Sequence, residues 1–181
     1  MFVLLDRDGV INVDGPVGVL KLDEFVFLPR SIEAIVRLTQ EGYRIAVCTN
    51  QSAIGKGWMT EETLTEIHAF MRAEIEKQGG KVEKIYYAPD HPDVPSTRRK
   101  PAPGMLLEAL AHFGADASRT PMVGDMIRDL EAATAAGCPR ILTRTGKGAA
   151  LEAAGIPHHI APVTVCDDLY DAVTHILANY R

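Results

Sequence analysis

Four apolar residues, Phe2-Val3-Leu4-Leu5, run directly into Asp6-Arg7-Asp8-Gly9-Val10. A short unbroken apolar run reads as a strand buried on both faces, and such strands belong to parallel sheets covered by helices. Where the run stops at acids and a glycine, a site is expected, because ligands of open α/β sheets collect beyond the carboxyl ends of strands. Gly9 permits a sharp turn and close backbone approach to a ligand. Two carboxylates two positions apart suit a divalent cation plus one group free to attack or to carry protons. The plainer reading of the same residues is a turn capped by Asp6 and Asp8, so the remaining sequence must decide between the two.

That sequence alternates strands and helices. Residues 10–29 hold Gly15-Pro16 and Gly18 and read as a flap or short hairpin over the site. Ser31–Glu41 has helical apolar spacing and is closed by Gly42, and Arg44–Cys48 is a second buried strand that ends at Thr49-Asn50-Gln51-Ser52. A long amphipathic helix follows Thr60, and Lys84–Tyr87 is a third strand. Pro89, Pro92 and Pro95 make residues 88–99 a loop that delivers Arg98-Arg99-Lys100. Then come a helix over 103–113, a strand over 121–123 ending at Gly124-Asp125, and a helix over 127–136. A fifth strand spans 140–143, with helices over 149–154 and 167–180. This spacing predicts an α/β chain, a parallel sheet with helices on both faces.

Composition narrows the function. The chain has 181 residues, 46% hydrophobic and 24% charged, with a net charge of −5. That length suits one domain over residues 1–181. The acidic balance argues against a nucleic-acid partner, and no apolar stretch approaches the ~20 residues needed to cross a bilayer. Without a secretory-type leader the expected location is the cytoplasm, and a monomer is expected. Cys48, Cys138 and Cys166 show no C-x-x-C spacing and read as reduced core thiols.

In a parallel sheet all carboxyl ends share one edge, so Asp6, Asp8, Thr49, Asn50, Asp125 and Asp129 can converge there with Lys100. Carboxylates hold a hard cation through oxygen, while the cation and a lysine offset the charge that keeps a carboxylate from attacking a phosphate dianion. Thr49 and the amides after it can donate to phosphate oxygens.

In that order these motifs resemble the haloacid dehalogenase superfamily of phosphohydrolases: Asp6-Arg7-Asp8-Gly9-Val10, then Thr49-Asn50, then Lys100, then Gly124-Asp125 with Asp129. The resemblance implies a phosphoric monoester hydrolase. On this resemblance Asp6 would be its nucleophile and Asp8 its acid and base. Magnesium would be held by Asp6, by the Asp8 carbonyl and by Asp125, with Asp129 ligating through water or orienting Lys100. Gly9, Thr49, Asn50 and Lys100 would bind the phosphate.

Within the superfamily, residues 6–12, 49–57 and 99–105 resemble the D-glycero-D-manno-heptose 1,7-bisphosphate 7-phosphatases and the related histidinol-phosphate phosphatases. This branch implies a Rossmann-like three-layer sandwich without a large cap domain, and a role in making lipopolysaccharide precursors. Loops 10–29, 51–58 and 88–100 would then select a small phosphorylated substrate, a sugar bisphosphate, with Gln51, Ser52 and Arg99 in contact with it. Histidinol phosphate or another small phosphomonoester is the alternative, and a phospho-accepting receiver-like module is the non-enzymatic one. The family's zinc loop carries Cys-x-His and Cys-x-Cys. Aligned on Pro89 and Arg99, those places hold Ala88, Asp90, Ser96 and Arg98, so no zinc is expected and prolines or packing must hold the loop. Met126 stands where a basic residue is common. Trp58 reads first as a packing anchor, His91 as a loop residue, and His158-His159 as a strand pair facing opposite ways.

Overall fold

The computed structural model describes residues 1–180. Six strands form one sheet: β1 (Phe2–Leu5), β2 (Arg44–Asn50), β3 (Lys84–Ala88), β4 (Met122–Gly124), β5 (Arg140–Thr143) and β6 (Val163–Cys166). Their spatial order is β3-β2-β1-β4-β5-β6, and every pairing is parallel. The helices are α1 (Ser31–Gln40), α2 (Ser52–Gly55), α3 (Glu61–Lys77), α4 (Gly104–Phe113), α5 (Ile127–Ala136), α6 (Gly148–Ala154) and α7 (Leu169–Asn179).

The apolar run that opens the chain feeds two cores at once. Alternate side chains of a strand point to opposite faces. Val3 and Leu5 therefore join Ile45 and Val47 in one core, covered by α1, α3 and α7 through residues such as Leu38, Ile67 and Val173. Phe2 and Leu4 join Ala46 and Cys48 in the other, under α4 and α5, where Leu106, Ala109, Ala132 and Ala133 pack. The result is a three-layer α/β sandwich of Rossmann-like strand order, and no large cap is inserted among the described residues.

The strand order reverses direction between β1 and β4, the position at which open sheets leave a crevice. Both strands end there in acids. Two local features depart from expectation. β6, an edge strand, lies between the expected helices over 149–154 and 167–180, where no strand is expected from the sequence; Val163-Thr164-Val165-Cys166 is short and mostly half-buried. The loop after Asn50 contains the extra turn α2. Residues 10–29 do form a flap, tied by an antiparallel bridge between Asn12 and Phe27 and by a 3-10 turn over Leu22–Glu24. All three cysteines are buried and free.

Because Leu4 is fully buried between β2, β4 and α4, Leu4→Ala should remove ~2–5 kcal/mol of stability, the range for emptying such a site. Urea melts check this.

Candidate active site

The site begins where β1 stops. Gly9 takes φ +78°, and a Cβ there would lie 2.3 Å from Asp125 Oδ2, so only glycine allows the turn to fold against that carboxylate. The Arg7 carbonyl accepts from the amides of Val10, Ile11 and Asn12, which closes the turn. Asp6 and Asp8 both face the carboxyl edge. Asp6 Oδ1 accepts from the Arg7 amide at 2.8 Å and lies 2.9 Å from Lys100 Nζ. Asp8 Oδ1 accepts from Arg7 Nη2 and Asn12 Nδ2, each at 2.9 Å, and Oδ2 accepts from Gln51 Nε2 at 2.9 Å.

The end of β2 holds the lysine in place. Asn50 Nδ2 donates to the Lys100 carbonyl at 2.9 Å, and the Lys100 amide donates to Asn50 Oδ1 at 3.0 Å. Asn50 is thus the clamp of Lys100, across 50 positions of sequence. Gln51 also donates to Thr49 Oγ1 at 2.9 Å, which leaves the buried Thr49 hydroxyl proton free for a ligand. Ser52 lines the cleft at the start of α2.

Lys100 comes from the 88–100 loop. Two of the four positions expected to be emptied of zinc ligands make a hydrogen-bonded cross-link instead. Ser96 Oγ donates to Asp90 Oδ2 at 2.8 Å and accepts from the amides of Arg98 and Arg99. Arg98 pairs with Glu108 on α4. Prolines and packing were expected to hold this loop; polar side chains share the task.

β4 and α5 supply the other acids. Asp129 Oδ1 lies 2.6 Å from Lys100 Nζ, and Asp129 Oδ2 accepts from the Met126 amide at the start of α5. Asp125 Oδ2 accepts from the Lys147 amide at 2.8 Å, while its buried Oδ1 has no hydrogen-bond partner. The loop after β5 was missed by sequence reasoning, although Thr145-Gly146-Lys147 follows a strand at the same edge. Thr145 Oγ1 donates to the Gly9 carbonyl at 2.7 Å, and a Cβ on Gly146 would lie 2.1 Å from Asp125 Oδ2.

Asp6, Asp125 and Asp129 place one carboxylate oxygen each within 4.8 Å of one another, the one cluster of metal-ligating type among the described residues. Burial, then Asp129, push the Asp6 carboxyl well above its usual range against the opposing pull of Lys100. Burial and Asp129 push Asp125 up to about 7. Burial also acts upward on Asp8, but the charge and hydrogen bond of Arg7, with Asn12 and Gln51, outweigh it and hold Asp8 below the usual range. Four carboxylates face two buried cations, Arg7 and Lys100, which leaves the charge deficit of one dication. An all-oxygen donor set with an orphaned buried carboxylate oxygen fits a hard divalent cation.

The cleft above these groups encloses about 290 Å³, with Asp14, Lys56, Trp58, Arg128 and Lys147 on its walls. Trp58 is half exposed on that wall beside Lys56 Nζ, which lies 4.4 Å from its ring centre, so it is no packing anchor. Arg99 and Arg128 each keep a buried guanidinium nitrogen without a partner, Nη1 and Nε respectively. Burial, then the nearby charge of Arg128, hold Arg99 below its usual pKa. Arg128 and Lys147 have no sequence signal of their own; only the fold brings them here. Two features lie outside the site. His91 stays in its loop, accepting from the Asp93 amide, and His158 and His159 sit in an exposed 3-10 turn rather than a strand, with His159 beside Glu131.

Comparison with known proteins agrees with this geometry. Residues 97–172 match the family model described as HAD-hydrolase-like, and residues 6–134 match that described as Polynucleotide kinase 3 phosphatase. The D-glycero-beta-D-manno-heptose-1,7-bisphosphate 7-phosphatase of Pseudomonas aeruginosa is 48% identical over 146 residues, covering 81% of this chain and 82% of that one. The chain belongs to this family of haloacid dehalogenase-like phosphatases. Its counterpart from Bordetella bronchiseptica is 39% identical over 176 residues and spans 97% of both chains. The crystal structure of the D,D-heptose 1.7-bisphosphate phosphatase from B. bronchiseptica, complexed with magnesium and phosphate, superposes with a TM-score of 0.92 at 38% identity, covering 98% of each chain. Family membership makes the chain a phosphomonoester hydrolase and sets aside the receiver-like module.

The raised Asp125 pKa has a measurable consequence. A carboxyl that binds its proton more tightly when folded makes the folded state less stable as pH rises from the unfolded value, near 4, to about 7. In metal-free protein, Asp125→Asn should therefore raise Tm at pH 8 by at least ~2–4 °C, the effect of 1 kcal/mol in a chain this long, and by little at pH 4. Thermal melts in chelator at the two pH values check this, and magnesium should abolish the advantage.

Proposed function

We propose that this chain is a magnesium-dependent phosphatase that works through an aspartyl phosphate on Asp6 and removes the 7-phosphate of D-glycero-D-manno-heptose 1,7-bisphosphate. The observation that carries the chemistry is the buried group of Asp6, Asp125, Asp129 and Lys100 beside a separately held Asp8. Asp6, Asp125 and the Asp8 carbonyl would hold magnesium, with Asp129 behind them anchoring Lys100. When bound, the cation supplies positive charge for the transferring phosphoryl oxygens and for the Asp6 carboxylate.

In the first step an Asp6 carboxylate oxygen attacks phosphorus, and the bond from phosphorus to the sugar oxygen breaks. Asp8 gives its proton to that leaving oxygen. Arg7, Asn12 and Gln51 favour the ionised Asp8 before substrate binds, but the negative charge of an arriving phosphate raises its proton affinity, so protonation accompanies binding. In the second step Asp8 takes a proton from water, the water oxygen attacks phosphorus, and the Asp6–phosphorus link breaks to release inorganic phosphate. Lys100 and the Thr49 hydroxyl bind the transferred group. Asn50 serves by holding Lys100, and the Gly9 turn brings backbone close to it.

The substrate reading rests on charge beside the cleft, with Arg128 on its wall and Arg99 near Arg128, as well as on the relatives' names. Arg99 and Arg128 have orphaned donors and repel each other, and a second phosphate relieves both conditions. Histidinol phosphate, the alternative, brings an amine where these arginines favour an anion. A nucleic-acid 3′-phosphatase would use the same chemistry, but the net charge of −5 opposes a polyanion. Loops 10–29, 51–58 and 88–100 then act as the specificity loops, with Gln51 and Ser52 beside the sugar.

Phosphate release with magnesium, on heptose 1,7-bisphosphate against histidinol phosphate and sugar monophosphates, tests the reading. Preference for the bisphosphate, leaving the anomeric phosphate, is expected; equal rates on simple monoesters would count against it. Turnover should vanish in Asp6→Asn and in chelator. Arg99→Ala or Arg128→Ala should raise KM for the bisphosphate at least ~10-fold, as loss of a charged hydrogen bond worth ~1.5–3 kcal/mol implies, while sugar monophosphates change little.

A further inference from the structure

Behind the catalytic turn lies an imidazole that the mechanism above does not use. His68 sits on the inner face of α3 beside Ile67 and Met71, and is buried. Its Nε2 is 3.1 Å from Arg7 Nη1. A guanidinium has only donors, so Nε2 accepts and the ring proton resides on Nδ1. Burial, then the Arg7 charge, drive the His68 pKa down to about 3, which keeps that nitrogen an acceptor at any working pH. Arg7 is itself fully buried, and its Nε has no partner. Its guanidinium is therefore fixed from two directions, by His68 at Nη1 and by Asp8 at Nη2.

The far end of this chain decides which Asp8 oxygen can work. Oδ1 accepts from both Arg7 and Asn12, whereas Oδ2 accepts from Gln51 alone. Oδ2 is accordingly the oxygen with room for the transferred proton. Without His68 the Arg7 guanidinium would hold two orphaned nitrogens and could turn away from Oδ1, which would free the carboxylate to rotate.

We propose that His68 is a positioning residue for the reaction: by accepting from Arg7 it fixes the guanidinium that pins Asp8 Oδ1 and so aims Oδ2 at the leaving oxygen. The inference rests on the assignment of Asp8 as acid and base made above. It explains why a histidine stands among apolar residues of α3 that face the core.

The test reads the first step alone, as single-turnover release of the leaving group with enzyme in excess, because the second step, in which Asp8 takes a proton from water, is common to all substrates. It compares an alkyl phosphate, the sugar bisphosphate, with p-nitrophenyl phosphate, whose leaving group departs without a proton. His68→Leu should lower this first-step rate on the sugar ~10²-fold, at the low end of what general acid catalysis contributes, with substrate half-saturation nearly unchanged. Its rate on p-nitrophenyl phosphate should stay within ~3-fold, because that reaction needs little acid. His68→Gln, whose side-chain carbonyl can still accept from Arg7, should recover most of the sugar rate. Equal losses on both substrates, no loss on either, or a glutamine variant no better than leucine would overturn the proposal. Should the leucine variant fail to fold, the glutamine variant decides alone: a proportionate loss on both substrates overturns the inference, and retained sugar activity supports it. Asp8→Asn run in parallel separates the two readings. Selectivity for the aryl phosphate in Asp8→Asn without it in His68→Leu overturns the His68 inference only, and its absence in Asp8→Asn overturns the Asp8 assignment and the inference with it.

Discussion

A single buried ammonium organises the site. Lys100 Nζ lies 2.9 Å from Asp6 and 2.6 Å from Asp129, with almost no solvent contact at any of the three side chains. Burial works to strip its proton, but Asp129 and Asp6 outweigh burial and raise its pKa. Taking charges out of water is costly, and such a pair persists only where its geometry is held from outside. The surroundings supply that hold. Asn50 grips the lysine backbone by two hydrogen bonds, the start of α5 grips Asp129, and the β1–β4 pairing fixes Asp6. Three sheet strands, one loop and one helix start thus converge on one charge.

That arrangement still leaves excess negative charge, and the molecule distributes it unevenly. Asp6 and Asp125 sit where burial and neighbouring acids resist ionisation, a condition that a cation reverses. Asp8 has its own guanidinium and two amides, so its charge is settled without the cation. Two carboxylates two residues apart acquire different roles because one faces acids and a lysine while the other faces Arg7. The glycines at positions 9 and 146 make this possible, since any side chain there would occupy the space of the Asp125 carboxylate.

The scaffold beneath is conventional and needs no contribution from the site. Alternating side chains of β1, β2 and β4 feed two separate cores, each closed by amphipathic helices. The 88–100 loop, which must carry Lys100 across a gap without regular structure, is tied by Ser96 to Asp90 and by Arg98 to Glu108. A hydrogen-bonded tie of this kind needs no cation and leaves the loop's charge close to neutral.

Much of this was legible in the sequence. The apolar run before Asp6, the helical spacing of α1 and α3, and the acids at strand ends determined the parallel sheet and brought Asp6, Asp8, Thr49, Asn50, Lys100, Asp125 and Asp129 to one edge, because burial and periodicity act on each segment locally. β6 escaped notice since a short, half-buried edge strand carries little of that signal. What only the tertiary structure decided are the partnerships between distant residues: His68 with Arg7, Gln51 with Asp8, Asn50 with Lys100, Thr145 with Gly9, and the nearness of Arg128 to Arg99. Each depends on the register of a strand or the rotation of a helix against its neighbour. A linear sequence states which groups can donate and accept, but the packing of layers fixes which donor meets which acceptor.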